Sequence, residues 1–159
     1  MIQDILEKVE HIPVFYQFLS VFIISIIPFL EAHVAVPVGL LLQLPFIPIA
    51  ALAIVGNWLS VLIIIFSSSW IKSRFSYKES RGNFVHRRFQ KGKLYFNRYG
   101  VPGISLLGPV IGANHIGAIV CIVASANKKN IIIWQTISIM LWAIGSGLLI
   151  YFGREYILR

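Results

Sequence analysis

The chain has 159 residues, of which 57% are hydrophobic and 13% charged, with a net charge of +8 and a mean hydropathy of +0.79. Soluble domains of this length keep roughly a quarter of their residues charged, so the composition points away from a water-solvated globule. The one cysteine, Cys121, allows no intrachain disulfide, and in an apolar stretch it reads as a small buried hydrophobe.

The opening MIQDILEKVEHIP sets Asp4, Glu7 and Glu10 against Lys8. A cleaved secretory signal starts basic, so the first apolar segment is expected to stay in the protein. Between His11 and Ile71 the sole Asp, Glu, Lys or Arg is Glu31. A hydrocarbon core about 30 Å thick is crossed by roughly 20 apolar residues, so such a run is long enough to span or re-enter a bilayer. Within it a break at Pro28 precedes Glu31 and His33. Pro37 and Gly39 follow, then a turn at PFIP (45 to 48), then a long segment over 49–71 that Asn57 and Trp58 interrupt.

From Lys72 to Arg98 nine bases face one acid, Glu79, giving +9 − 1 = +8. Short loops rich in Lys and Arg are retained in the cytoplasm, which predicts a cytoplasmic linker over 72–98. Val85, Phe89, Gly92, Phe96 and Tyr99 recur at helical spacing, apart from most of the bases, as in an interfacial amphipathic helix. Arg87, Arg88, Lys91 and Arg98 are therefore expected to meet phospholipid headgroups, each base adding about 1 kcal/mol of attraction. The plainer reading is a basic loop that only fixes topology. Nucleic acid is not expected as a partner, because no groove-reading motif is present and apolar segments flank the patch on both sides.

The second half repeats the order of the first. No charged residue occurs over 101–127 or 130–153. Gly108 and Pro109 break the first of these stretches, followed by Gly112, Asn114 and His115. A polar turn NKKN (127 to 130) and a long segment over 131–152 complete the half. Two halves that each read broken element, polar turn, full span follow the pattern of inverted-repeat transporters, whose broken segments meet near the bilayer midplane. Irregular backbone is tolerated at that depth only in protein or beside a watery cavity. The predicted fold is thus an all-α integral membrane protein. It is one domain of two pseudo-symmetric halves (12–71 and 99–153), each a broken or re-entrant hairpin plus a transmembrane helix, joined by the basic linker. In the rival topology, 101–127 spans the bilayer.

The stretches IPFLEAHVAVPVGLLLQLP, AIVGNWL and NRYGVPGISLLGPVIGANHIGAIVCIVASANKKNIIIWQTISIMLW resemble the small multidrug export protein family, a distant relative of the DedA membrane proteins. The resemblance implies two facing re-entrant hairpins, a cytoplasmic-membrane location, and transport of a small lipophilic compound or a lipid-linked phosphate such as undecaprenyl phosphate. It implies that Glu31 is the embedded acid, Pro37 and Gly39 the turn residues of the first hairpin, and Gly108, Pro109 and Gly112 residues of the second. DedA proteins proper carry arginines in the second hairpin. Here no Arg or Lys lies between Tyr99 and Asn127.

An acid at membrane depth must face a cavity, find a partner or stay protonated, and apolar surroundings favour the neutral carboxyl that a proton carrier uses. Glu31, with His33 and His115, is the candidate proton-coupling set, and Asn57 and Asn114 join the hairpin residues as candidate substrate contacts. The alternative for Glu31 is a helix cap at the Pro28 break. Glu31, His33 and His115 are not spaced as a zinc set, no hydroxyl or thiol has a recognisable base, and Ser105 and Ser125 read as hydroxyls satisfied within helices. Neither a metal, a cofactor nor an enzyme is expected. Gly145, Ser146 and Gly147 form a small-residue patch for close packing, and a homodimer fits the small body. The competing function is a membrane scaffold or assembly protein acting through the linker.

Overall fold

A computed structural model describes residues 12–71, 84–111 and 113–157, and all regular structure among them is helical. The elements are α1 (Val14–Ile26), α2 (Glu31–Leu41), α3 (Phe46–Phe66), α4 (Phe84–Leu106), α5 (Gly108–Ile111), α6 (Asn114–Val123) and α7 (Lys128–Ile157). They form two compact units. One comprises residues through Asn57 and those from Leu141 onward, the other Trp58–Met140.

Several helices bury polar side chains along with apolar ones while exposing large apolar side chains, unlike the helices of a soluble protein. Along α3 the buried stripe of Ile49, Ala53, Asn57, Ser60, Val61 and Ile65 includes the polar residues, whereas Ile47, Val55, Leu59, Ile63 and Phe66 lie exposed. In α7, Gln135 and Ser138 are buried while Ile133, Ile137, Leu141, Leu148 and Leu149 are exposed, and α1 buries Gln17 and Ser25 but exposes Phe15, Leu19 and Ile23. Polar groups turn inward and large apolar groups outward when the solvent is hydrocarbon. At about 1.5 Å per residue, the 21 residues of α3 and the 26 of Lys128–Gly153 are long enough to cross a membrane. Their most apolar stretches are only 39% and 22% buried, unlike the core helix of a soluble domain.

In the first unit α2 packs against α1. Pro28 disfavours helical backbone in the residue before it, so Ile27 is extended (φ −71°, ψ 125°) and ends α1. Gly39 lets the helices close. A Cβ there would sit 2.8 Å from Ile49 Cδ1 and 3.2 Å from Val21 Cγ2. In the second unit α6 packs back along α4, and a Cβ on Gly92 would sit 2.9 Å from Val120 Cγ2. Gly100 interrupts α4 with φ 65° and ψ −159°, a conformation open to glycine, so the helix kinks just past the last base and a short apolar helical segment containing Pro102 follows to Leu106.

Four local expectations are corrected. Pro37 and Gly39 are not turn residues but lie inside α2, and the chain reverses over 27–30. A proline inside a helix removes the ladder donor to the carbonyl four residues earlier and crowds that carbonyl, yet here the helix runs on to Leu41. The PFIP turn is the start of α3, since Pro48 falls in the first turn, where no amide donor is required. NKKN likewise begins a helix. Asn127 Oδ1 accepts the Lys129 amide at 2.9 Å as an N-cap, so the turn lies before it. Asn57 and Trp58 do not interrupt α3, which is continuous through both. The first half of the basic linker, 72–83, lies outside the described residues.

Candidate functional site

The reversal before Glu31 is conformationally costly. Phe29 (φ 74°) and Glu31 (φ 54°) both take left-handed backbone without being glycine, at on the order of 1–3 kcal/mol each. The Leu30 and Glu31 amides both donate to the Ile27 carbonyl, at 3.2 and 3.1 Å. The turn sets Glu31 at the first position of α2, where the helix dipole favours a carboxylate. Glu31 is fully buried (0% exposed), and His33 Nδ1 stands 3.8 Å from its Oε2 with the imidazole partly accessible. Among the described residues of this unit, Gln17, Ser25 and Asn57 are the other buried polar side chains. Ser25 Oγ donates to the Phe22 carbonyl at 2.6 Å and Gln17 Nε2 to the Ile12 carbonyl at 3.0 Å.

The second unit buries a hydrogen-bonded polar network. His115 Nε2 and Ser60 Oγ are bonded at 2.9 Å. Next to His115, Asn114 receives Ser138 Oγ on its Oδ1 at 3.2 Å and Gln135 Nε2 on its carbonyl at 3.3 Å. Ser138 also donates to the Ser105 carbonyl at 2.7 Å, and Trp58 Nε1 to Thr136 Oγ1 at 2.9 Å. Two buried atoms here, Ser105 Oγ and Gln135 Oε1, have no hydrogen-bond partner. Gly108 faces the Asn114 side chain in direct contact, and a Cβ on Gly117 would meet the Ile104 carbonyl oxygen at 3.1 Å, so both glycines let α6 seat closely.

The expected site residues thus fall into separate groups. Glu31 and His33 are neighbours in the first unit, which also holds buried Asn57, and Pro37 and Gly39 lie farther along α2. His115, Asn114, Gly108 and a half-buried Pro109 belong to the second unit, and Gly112 lies outside the described residues. Arg87, Lys91 and Arg98 are exposed on α4, with Arg98 over the Tyr99 ring at 5.2 Å. The side chains of Arg88, Val85 and Phe89 lie outside the described set. Among the described residues no three His, Cys, Asp or Glu gather. Ser105 is not satisfied within its helix as expected. Gly147 does pack tightly, against Phe46 and Val36, whereas a Cβ on Gly145 would meet nothing within 4 Å.

Sequence reasoning passed over Gln17, Ser25, Ser60, Gln135 and Ser138. Their signal was a polar residue recurring at helical spacing in an apolar run, such as Gln135 and Ser138 at i and i+3. In comparisons with known proteins, residues 31–144 match the family described as "Putative small multi-drug export protein". No curated protein and no solved structure matches the chain.

Proposed function

The chain belongs to the small multi-drug export protein family, and from that premise we propose that it moves an amphipathic compound across the cytoplasmic membrane by proton exchange at Glu31. The observation that carries this reading is the complete burial of Glu31 in a unit whose helices expose large apolar side chains. An acid held there through two strained residues is costly to keep for packing alone. Proton carriage gives it a use. His33, 3.8 Å away and partly accessible, is the group through which a proton reaches or leaves the carboxyl. His115, bonded to Ser60, is a second imidazole able to take part.

In this reading the α1–α2 pair re-enters the bilayer. The segment from Val101 to Asn127 does the same from the other side, since α6 has only ten residues, about 15 Å of helix, against a core of about 30 Å. The basic stretch of α4 and Lys128 then lie on the cytoplasmic side. Substrates are small lipophilic compounds or lipid-linked phosphates.

The test is flux through the purified protein in liposomes under an imposed pH gradient, with ethidium as a lipophilic cation and undecaprenyl phosphate as a lipid phosphate. The reading requires that the flux of one of them rise with the gradient and collapse with a protonophore. Equal flux with and without the gradient overturns proton exchange.

A further inference from the structure

Helix α4 carries bases on two different faces. Arg87, Lys91 and Arg98 share one of them. At about 100° per residue, Lys93 lies about 200° around the axis from Lys91, on the flank of the face that Gly92 presses against Val120 of α6. Beside that contact is a cavity of about 330 Å³ lined by Lys93, Phe96, Asn97, Val120, Val123 and Ala124.

The lining selects its occupant by elimination. Lys93 brings an ammonium and Asn97 an amide, and the lining holds no carboxylate, so its charge favours an anion over a cation. Four of the six lining residues are apolar, and on one side they continue into the buried Ala113, Ile116 and Val120 cluster. A free inorganic anion would leave that surface unused. An anionic head with a hydrocarbon tail uses both parts. The volume lies at the lower end of small-ligand sites, about 300–1,000 Å³, enough for a head and the start of a chain.

We propose that this groove between α4 and α6 binds one anionic membrane phospholipid, its phosphate on Lys93 Nζ and the Asn97 amide and its proximal acyl chain against Phe96, Val120 and Val123. The site is separate from the Arg87, Lys91 and Arg98 face and does not depend on proton exchange. A lipid held there fastens the basic helix to the leaflet from its inner side, through a fitted pocket rather than through diffuse attraction.

The experiment uses the full chain in vesicles doped with phosphatidylglycerol or phosphatidylcholine bearing a diazirine near the acyl ester, with adducts mapped by mass spectrometry. Phosphatidylglycerol should mark Phe96, Val120 or Val123 about fivefold more than phosphatidylcholine, the worth of one base against an anionic head. Lys93→Gln should bring that labelling down to the phosphatidylcholine level. Ala124→Phe, which fills the cavity and keeps every charge, should abolish it while adducts on the exposed face of α7 persist. Lys128→Gln and excess inorganic phosphate should leave it unchanged. Equal labelling by both lipids, indifference to Lys93→Gln or Ala124→Phe, displacement by phosphate, or an equal loss in Lys128→Gln each overturns the proposal.

Discussion

Ser105 and Ser138 are both fully buried in one polar network, yet their substitutions are expected to have different outcomes. Ser138 Oγ has a single proton, shared between the Ser105 carbonyl at 2.7 Å and Asn114 Oδ1 at 3.2 Å. Ser138→Ala leaves two buried acceptors without that donor. Hydrogen bonds of this kind between helices in a bilayer average about 0.6 kcal/mol and reach about 1.7, so the loss should be about 1 kcal/mol. The Ser105 hydroxyl has no partner and already carries the cost of burial, so Ser105→Ala removes an unsatisfied group. It should be neutral, or stabilise by up to about 1 kcal/mol. Because Ser138 bonds the Ser105 backbone rather than its hydroxyl, the double variant should be additive within about 0.5 kcal/mol. Reversible unfolding in mixed micelles, followed by ellipticity, measures all three. If Ser105→Ala destabilises as much as Ser138→Ala, the hydroxyl has a partner and the reasoning fails.

Gly147→Val should cost about 1–3 kcal/mol, because its Cβ would strike the Phe46 ring and lie 2.8 Å from Val36 Cγ1. Gly145→Val, whose Cβ would meet nothing within 4 Å, should cost far less in the same unfolding assay. Ser60→Ala and His115→Ala should show a coupling of about 0.6–1.7 kcal/mol in a double-mutant cycle, as their 2.9 Å bond requires, and strict additivity would deny that bond. Cysteines replacing Lys91 and Lys128 should both react with an impermeant maleimide from the cytoplasmic side. Labelling of the Lys128 site from outside would establish that the segment from Val101 to Asn127 spans instead.

What was legible in the sequence follows what proline, glycine and charge can signal. Pro28 marks the reversal between α1 and α2, the long charge-free runs over 49–71 and 131–152 fall largely in α3 and α7, and Gly100 kinks α4 just after its last base. Pro37 misled because an interior proline commonly breaks or kinks a helix, whereas α2 continues through it to Leu41. Asn127 misled because a polar cluster reads as a turn when its first member is in fact a cap. The left-handed backbone at Phe29 and Glu31 could not be foreseen, since no glycine stands there to announce it. The buried serines and glutamines were missed for a different reason. In a lipid-solvated protein uncharged polar residues mark the inside, and a search for charges alone looks past them.

The central claim rests on one carboxyl group, and the direct measurement is gradient-driven flux through Glu31→Gln in proteoliposomes beside the wild type and Glu31→Asp. Glutamine keeps the size and some hydrogen bonding but has no proton to release. The account predicts a folded protein, as judged by an unchanged unfolding midpoint in micelles, that does not couple flux to the gradient. Glu31→Asp should retain part of the flux with an altered pH dependence. Wild-type flux through Glu31→Gln across roughly pH 6 to 8 would make Glu31 a cap at the start of α2 and contradict the mechanism.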